Sequence, residues 1–346
     1  MKKKRGLLWG IFFCLLLLGC GSGQKEQEAI SEKEEAKIQI GLSFDTFVVE
    51  RWLRDRDVFV STAQSLGAEV NVQNANGNIE EQISQIEYFI KKKMDVIAIV
   101  AIDGDMLVDV VKKARNSGIK VICYDRLIMN AGADLYISFD NERVGELMGE
   151  ALIEALPEGG NILTIYGSKM DHNVTQVSAG LQNALRESKL HVVYSNYCDN
   201  WLAELAFDAV NEGLAQNDDI VGMMCGNDAL ASQAIKALSE HRMAGKVVVV
   251  GQDADLSACQ RIVEGTQEMT VFKPVDALAS KAAQLAVALA RGEILEMEDM
   301  QTISDGENEI PYYSIEPIAV TAENMDEVII DSGFHQREDV YLNVAR

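Results

Sequence analysis

Positive charge is scarce in this chain. Lysine and arginine number 31 against 54 aspartates and glutamates, which gives a net charge of −23. A nucleic acid or an anionic membrane surface demands a basic face, so neither is expected as a partner. Six cysteines are present, but without a framework. Cys14 falls in an N-terminal apolar run and Cys20 directly after it, while Cys123, Cys198, Cys225 and Cys259 stand singly, with no C-x-x-C pair. Those four read as buried small hydrophobes, not as disulfide partners or zinc ligands. The four histidines (His172, His191, His241, His335) are scattered, with no H-E-x-x-H spacing, so no metal or other cofactor is expected. Catalytic signatures are lacking too: there is no G-x-S-x-G elbow, no P-loop and no G-x-G-x-x-G after the first strand. Two facing carboxylates suit glycoside chemistry in principle. Asp125, however, with Arg126 beside it, reads as an ionised hydrogen-bond acceptor and not as an acid of raised pKa. A binder is expected, not an enzyme.

Only one long hydrophobic run occurs, and it lies at the N-terminus. Lys2-Lys3-Lys4-Arg5 precedes an apolar core over 6–18, too short for a comfortable membrane span. It stops at Leu17-Leu18-Gly19-Cys20, with Gly21 and Ser22 following, the pattern of a bacterial lipoprotein cleavage site. Residues 1–19 are therefore expected to be a leader, and Cys20 the lipid-bearing anchor on the outer face of the cell membrane. The segment 20–36, rich in Glu, Gln and Lys, reads as a solvated tether.

About 310 residues remain, enough for two lobes of ordinary size. From Lys37 onward, short β-branched runs alternate with amphipathic ones. Strands are predicted over 37–43, 69–74, 96–101, 120–124 and 135–139, with helices over 50–66, 79–92 and 105–117 between them. Ile79, Ile83, Ile86 and Ile90 recur at helical spacing, and Gly118 sits where a helix C-cap glycine belongs. The pattern then restarts. Helices over 142–156, 174–187, 204–215, 229–239 and 257–264 alternate with strands over 161–166, 191–194, 220–225, 247–251 and 269–272. Strands this apolar need cover on both faces, so the expected class is α/β, with two doubly wound parallel sheets in succession.

In such sheets ligands gather outside the carboxyl ends of the strands, and the chemically interesting residues fall there. Ser43-Phe44-Asp45 closes the first strand, with Arg51 and Trp52 beyond it, and Tyr124-Asp125-Arg126 closes the fourth. Asp171 and Asn173, Trp201, Asn227-Asp228 and Gly251-Gln252-Asp253 hold the matching positions in the second half. Trp52 and Trp201, the two tryptophans outside the leader, lie about 150 positions apart, one in each half. Two flat aromatics framed by carboxylates, amides and cations suit a small polar ring with hydroxyls at its edge. Taken singly, these residues have plainer uses. Arg51 and Arg126 suit surface ion pairs, Trp52 suits a plug under its helix, and Asp253 and Asn227 suit helix caps.

The strings ERWLRDRDVFV (50–60), QNANGNIEEQISQIE (73–87), YDR (124–126), YISFDNERVGEL (136–147), GQDADL (251–256), GTQEMTVFKP (265–274) and DSGFH (331–335) span nearly the whole mature chain. Together they resemble the bacterial sugar-binding proteins of the type I periplasmic fold, and among them the receptors for D-xylose. The resemblance implies two α/β lobes joined by three crossovers: 37–139 with 275–310, and 140–274 with 311–346. It implies a sugar held between them by Arg51, Trp52, Asp125, Arg126, Asp171, Asn173, Trp201, Asn227, Asp253 and Lys273. Hinge closure would deliver the sugar to the permease of an ATP-driven importer, or else be read by the outer domain of a sensor kinase. The expected state is a monomer. Three departures stand out. Asp45-Thr46 occupies a place where the family commonly has paired acids, His172 stands between Asp171 and Asn173, and 188–200 is a few residues short. They leave open another aldose, such as ribose or galactose.

Overall fold

The computed structural model describes residues 37–49, 51–295 and 300–344. The leader, Cys20, the tether and Glu50 lie outside the described residues. The chain begins with β1 (Ile38–Phe44), α1 (Arg51–Ser65), β2 (Ala68–Asn74), α2 (Ile79–Lys92), β3 (Val96–Ile99), α3 (Gly104–Asn116), β4 (Lys120–Tyr124) and β5 (Leu135–Phe139). It crosses into α4 (Asn141–Ala155), β6 (Gly160–Tyr166), α5 (His172–Leu185), β7 (Leu190–Tyr197), α6 (Glu204–Gln216) and β8 (Ile220–Cys225). There follow α7 (Asp228–Glu240), β9 (Val248–Gln252), α8 (Leu256–Val263) and β10 (Met269–Phe272). The chain then returns for α9 (Val275–Ala290), β11 (Met300–Ser304) and β12 (Glu309–Ile315), and crosses again to β13 (Ile318–Val320) and α10 (Arg337–Val340).

Two sheets result. The first has seven strands in the order β11-β12-β5-β4-β3-β1-β2, and the second has six in the order β13-β10-β9-β8-β6-β7. Pairing is parallel except at the edges, where β11 runs antiparallel to β12 and β13 to β10. Helices cover both faces of each sheet, and β3 and β5 are buried at every position. That double cover is why these strands are almost wholly apolar.

The lobe boundary falls later than 310/311. β12 pairs parallel with β5 as far as Ile315 opposite Phe139, so the third crossing comes between Ile315 and Ile318. The composition of 300–320 hides this, because β11 and β13 are short edge strands and β12 beside them is only partly buried, all of mixed polarity. Cys123, Cys198, Cys225 and Cys259 are free and buried. Two side chains on α2 break the apolar stripe for a reason. Gln82 donates to the Val100 carbonyl (2.8 Å) and accepts from the Ile102 amide (2.9 Å), and Gln85 accepts from the Ser43 hydroxyl (3.1 Å). These buried amides tie down the end of β1 and the chain that has just left β3, whose polar groups a merely greasy contact would leave unpaired.

Candidate functional site

Between the carboxyl ends of the two sheets lies a cavity of about 500 Å3, including the space open at its mouth. All ten residues singled out from the sequence line it: Arg51, Trp52, Asp125 and Arg126 from the first lobe, Asp171, Asn173, Trp201, Asn227 and Asp253 from the second, and Lys273 from the crossover.

The first-lobe wall is an ionic lattice. Arg51 opens α1 and is only 6% exposed, so it is not a surface residue. Its guanidinium donates to Asp125 Oδ2 (2.8 Å) and to Asp55 (3.2 and 3.3 Å), and lies 4.2 Å from the centroid of the Trp52 ring. The Tyr124 hydroxyl donates to Asp55 Oδ1, which it shares with Arg51. Burial pushes the Asp125 carboxyl up, but Arg51, Lys273 and Arg126 outweigh it and hold the group below the usual carboxylate range. Asp125 is thus anionic, as expected of an acceptor. Arg126 donates to Asp45 Oδ2 (2.7 Å) and the Ala101 carbonyl (2.8 Å). Its Nε lies 2.8 Å from Asp171 Oδ2 in the second lobe. A second link between lobes runs from Asn173 Nδ2 to Asp125 Oδ1 (3.0 Å) and to the Asp125 carbonyl (3.1 Å).

In the second lobe several residues do two jobs. Asp171 caps α5 through the Asn173 amide (3.0 Å) and also accepts from Trp201 Nε1 (3.2 Å). Asn227 caps α7 through the Leu230 amide (2.9 Å) while lining the cavity. Asp253 is no cap, since Asp255 holds that place before α8. Instead its carboxylate lies 2.7 Å from Lys273 Nζ. Trp201 sits in a 3-10 turn, Asp199–Trp201, where Asn200 and Trp201 both have left-handed backbone (φ 53° and 57°). His172 stands between two lining residues but is not itself a lining residue.

Five buried polar atoms of lining residues have no hydrogen-bond partner, and since Arg126 Nε and Asp253 Oδ1 each have an ionic neighbour, three stay unanswered: the Trp52 Nε1 donor and the Asn173 Oδ1 and Gln252 Oε1 acceptors. Buried polar groups are rarely left so, and here both donors and acceptors are on offer. A ligand carrying several hydroxyls can answer both kinds.

A sequence model described as a periplasmic binding protein domain matches residues 40–294. The chain belongs to the periplasmic binding protein family. It is 43% identical over 316 residues to the D-xylose-binding periplasmic protein of Haemophilus influenzae, covering 90% of this chain and 94% of that one. The Escherichia coli protein of the same description is 42% identical over 331 residues, covering 94% and 98%. A solute-binding protein of an ABC transporter from Clostridium phytofermentans, solved with β-D-glucose, superposes with a TM-score of 0.78 at 28% identity, covering 87% of this chain and 99% of that one. These relatives are substrate-binding proteins, not enzymes, and this binding protein shares their two-lobed parallel-sheet fold.

The binding-protein cleft also contains lining residues that the sequence reading passed over, chiefly Gln252, Asn141, Tyr166 and Gly167. Gln252 was within reach, because it lies inside Gly251-Gln252-Asp253 at a strand end. Strand alternation argues that neighbours face opposite ways, and the left-handed φ of 97° at Asp253 breaks that rule.

Just behind Asn227, Asp228 is fully buried. It accepts from Thr270 Oγ1 (2.7 Å), Gln267 Nε2 (2.8 Å) and the Asp255 amide (3.1 Å). Burial pushes its carboxyl from 3.8 up to about 7, against the pull of the Thr270 and Gln267 hydrogen bonds and the Arg261 charge. A folded pKa above the unfolded one contributes stability that is fully present below the unfolded pKa and lost as pH rises through the folded one. Asp228→Asn is therefore expected to flatten the fall in unfolding free energy between about pH 4 and pH 7. Urea titrations at several pH values check this, and an unchanged slope in the variant would refute it.

Proposed function

We propose that this binding protein is an extracytoplasmic receptor for D-xylose, tethered through lipid on Cys20, that delivers the sugar to the permease of an ABC-type importer. Arg51, Trp52, Asp125, Arg126, Asp171, Asn173, Trp201, Asn227, Asp253 and Lys273 hold the sugar, and Trp52 and Trp201 address its two faces from opposite lobes. The observation that carries the reading is the set of unpartnered buried atoms, from both lobes, in one cavity beside two tryptophans. Relatives above 40% identity described as D-xylose-binding support the pentose.

Chemically the frame works through its edge. Hydrogen bonds to charged groups contribute about 1.5–3 kcal/mol each. Covering roughly 50 Å2 of sugar face with one indole gives about 1.3 kcal/mol. Discrimination among sugars thus rests with the carboxylates, amides and cations, since an epimer leaves one of them buried and unpaired. Bridging both lobes biases the chain toward a closed form about the crossovers near 140, 273 and 316. The glucose in the C. phytofermentans relative favours a second reading, in which a hexose is the ligand.

Calorimetry of the full chain against xylose, ribose, arabinose, glucose and galactose decides between them. Xylose is expected to bind tightest; markedly tighter ribose or galactose would sink the assignment, and tighter glucose would establish the hexose reading. Metabolic labelling with palmitate that leaves the chain unmarked would remove the anchor.

A further inference from the structure

We propose that Gly167 is a positioning residue that fixes where the Trp201 ring sits in the cleft, and with it the room left for the sugar; this deepens the sugar-binding reading above. Gly167 directly follows β6 and lines the cavity. It is not among the glycines with left-handed backbone, so conformational freedom does not explain it. Contact does. A Cβ at Gly167 would lie 2.3 Å from Cη2 and Cζ2 of Trp201 and 2.4 Å from Cε2, far inside any van der Waals distance. The indole rests on bare backbone, the close approach that only glycine allows.

Neither side can retreat freely. The Gly167 backbone is backed by Gly226, whose own Cβ, if present, would be 2.8 Å from the Gly167 nitrogen. The Trp201 side chain is held at its pyrrole edge by Nε1 donating to Asp171 (3.2 Å), and at its backbone by two left-handed residues and an amide donating to the Cys198 carbonyl (3.0 Å). A methyl at 167 therefore pushes the indole toward the cavity and pulls Nε1 from Asp171. Asp171 is also the partner of Arg126 across the lobes, so the disturbance reaches the other wall of the site.

Gly167→Ala is expected to lower sugar affinity at least tenfold, measured with xylose. In a Trp201→Leu background, where no indole stands over the site, the same methyl should change affinity less than twofold. Equal losses in the two backgrounds would overturn the proposal. A second measurement does not depend on sugar. The chain has three tryptophans, Trp9, Trp52 and Trp201. In a full chain carrying Trp9→Phe and Trp52→Phe, Trp201 emission should shift to the red and acrylamide quenching should rise on Gly167→Ala. Unchanged emission and quenching would overturn the proposal. A wild-type chain that binds none of the five sugars would instead defeat the proposed function, while the quenching result would still decide the role of Gly167.

Discussion

Arg51→Met is expected to lower the unfolding free energy by about 3–5 kcal/mol at neutral pH, the range for removing one partner of a buried ion pair. Methionine keeps most of the aliphatic volume, so lost packing is a minor part. What is lost is the common counter-charge of two carboxylates. Asp55 is fully buried and Asp125 nearly so, and Arg51 bonds to both. Asp125 still has Lys273 and Arg126 nearby, whereas Asp55 keeps only the Tyr124 hydroxyl as a side-chain hydrogen-bond donor among the described residues. Burial already raises the Asp55 carboxyl above its ordinary value, with Arg51 as the main opposing influence. Without that influence the raised folded pKa climbs further, so the variant recovers stability as pH falls and the carboxyl protonates. Chemical denaturation at about pH 7 and about pH 5 should show the deficit shrink on acidification. Adding Asp55→Asn to Arg51→Met should recover part of it, and a deficit under about 1 kcal/mol would mean the lattice is solvated rather than buried.

The same lattice explains what was and was not legible in the sequence. The cavity's location was legible because polar and aromatic residues recur at one topological position, the carboxyl ends of the strands. Arg51, Arg126 and Asp253 could be placed there without coordinates. Their pairings could not. The Arg51–Asp125 contact joins residues 74 positions apart and Arg126–Asp45 joins residues 81 apart, distances over which no local pattern acts. Arg126 is an ion-pair residue, but a buried one, committed to Asp45 in its own lobe and to Asp171 in the other. Asp45, which closes the first strand where relatives commonly have paired acids, has a plain use as that partner. The Trp201 turn was equally out of reach, since two consecutive left-handed residues that are not glycine leave little trace in composition. β7 also runs to Tyr197, past the expected end at 194, and carries an irregularity in its pairing with β6.

Asp253 gives the largest expected effect on binding that can be separated from folding, and the choice of replacement decides whether the separation succeeds. Alanine is the wrong one. The backbone there has φ 97°, which disfavours a β-carbon lacking local hydrogen bonds, and Lys273, 7% exposed, would lose its side-chain acceptor outright. Asp253→Ala is thus expected to cost stability as well as affinity. Asparagine tolerates left-handed backbone better and keeps one oxygen able to accept from Lys273, while losing the charge and exchanging the other acceptor for a donor. A hydrogen bond to a charged group is worth about 1.5–3 kcal/mol, so Asp253→Asn should weaken xylose binding roughly ten- to a hundredfold. Its melting temperature without sugar should stay within a few degrees of wild type. Calorimetry and thermal melts on the two variants give the comparison. If asparagine binds xylose as tightly as aspartate does, Asp253 serves Lys273 and the crossover alone, and the sugar frame on the second lobe reduces to Asp171, Asn173, Trp201 and Asn227.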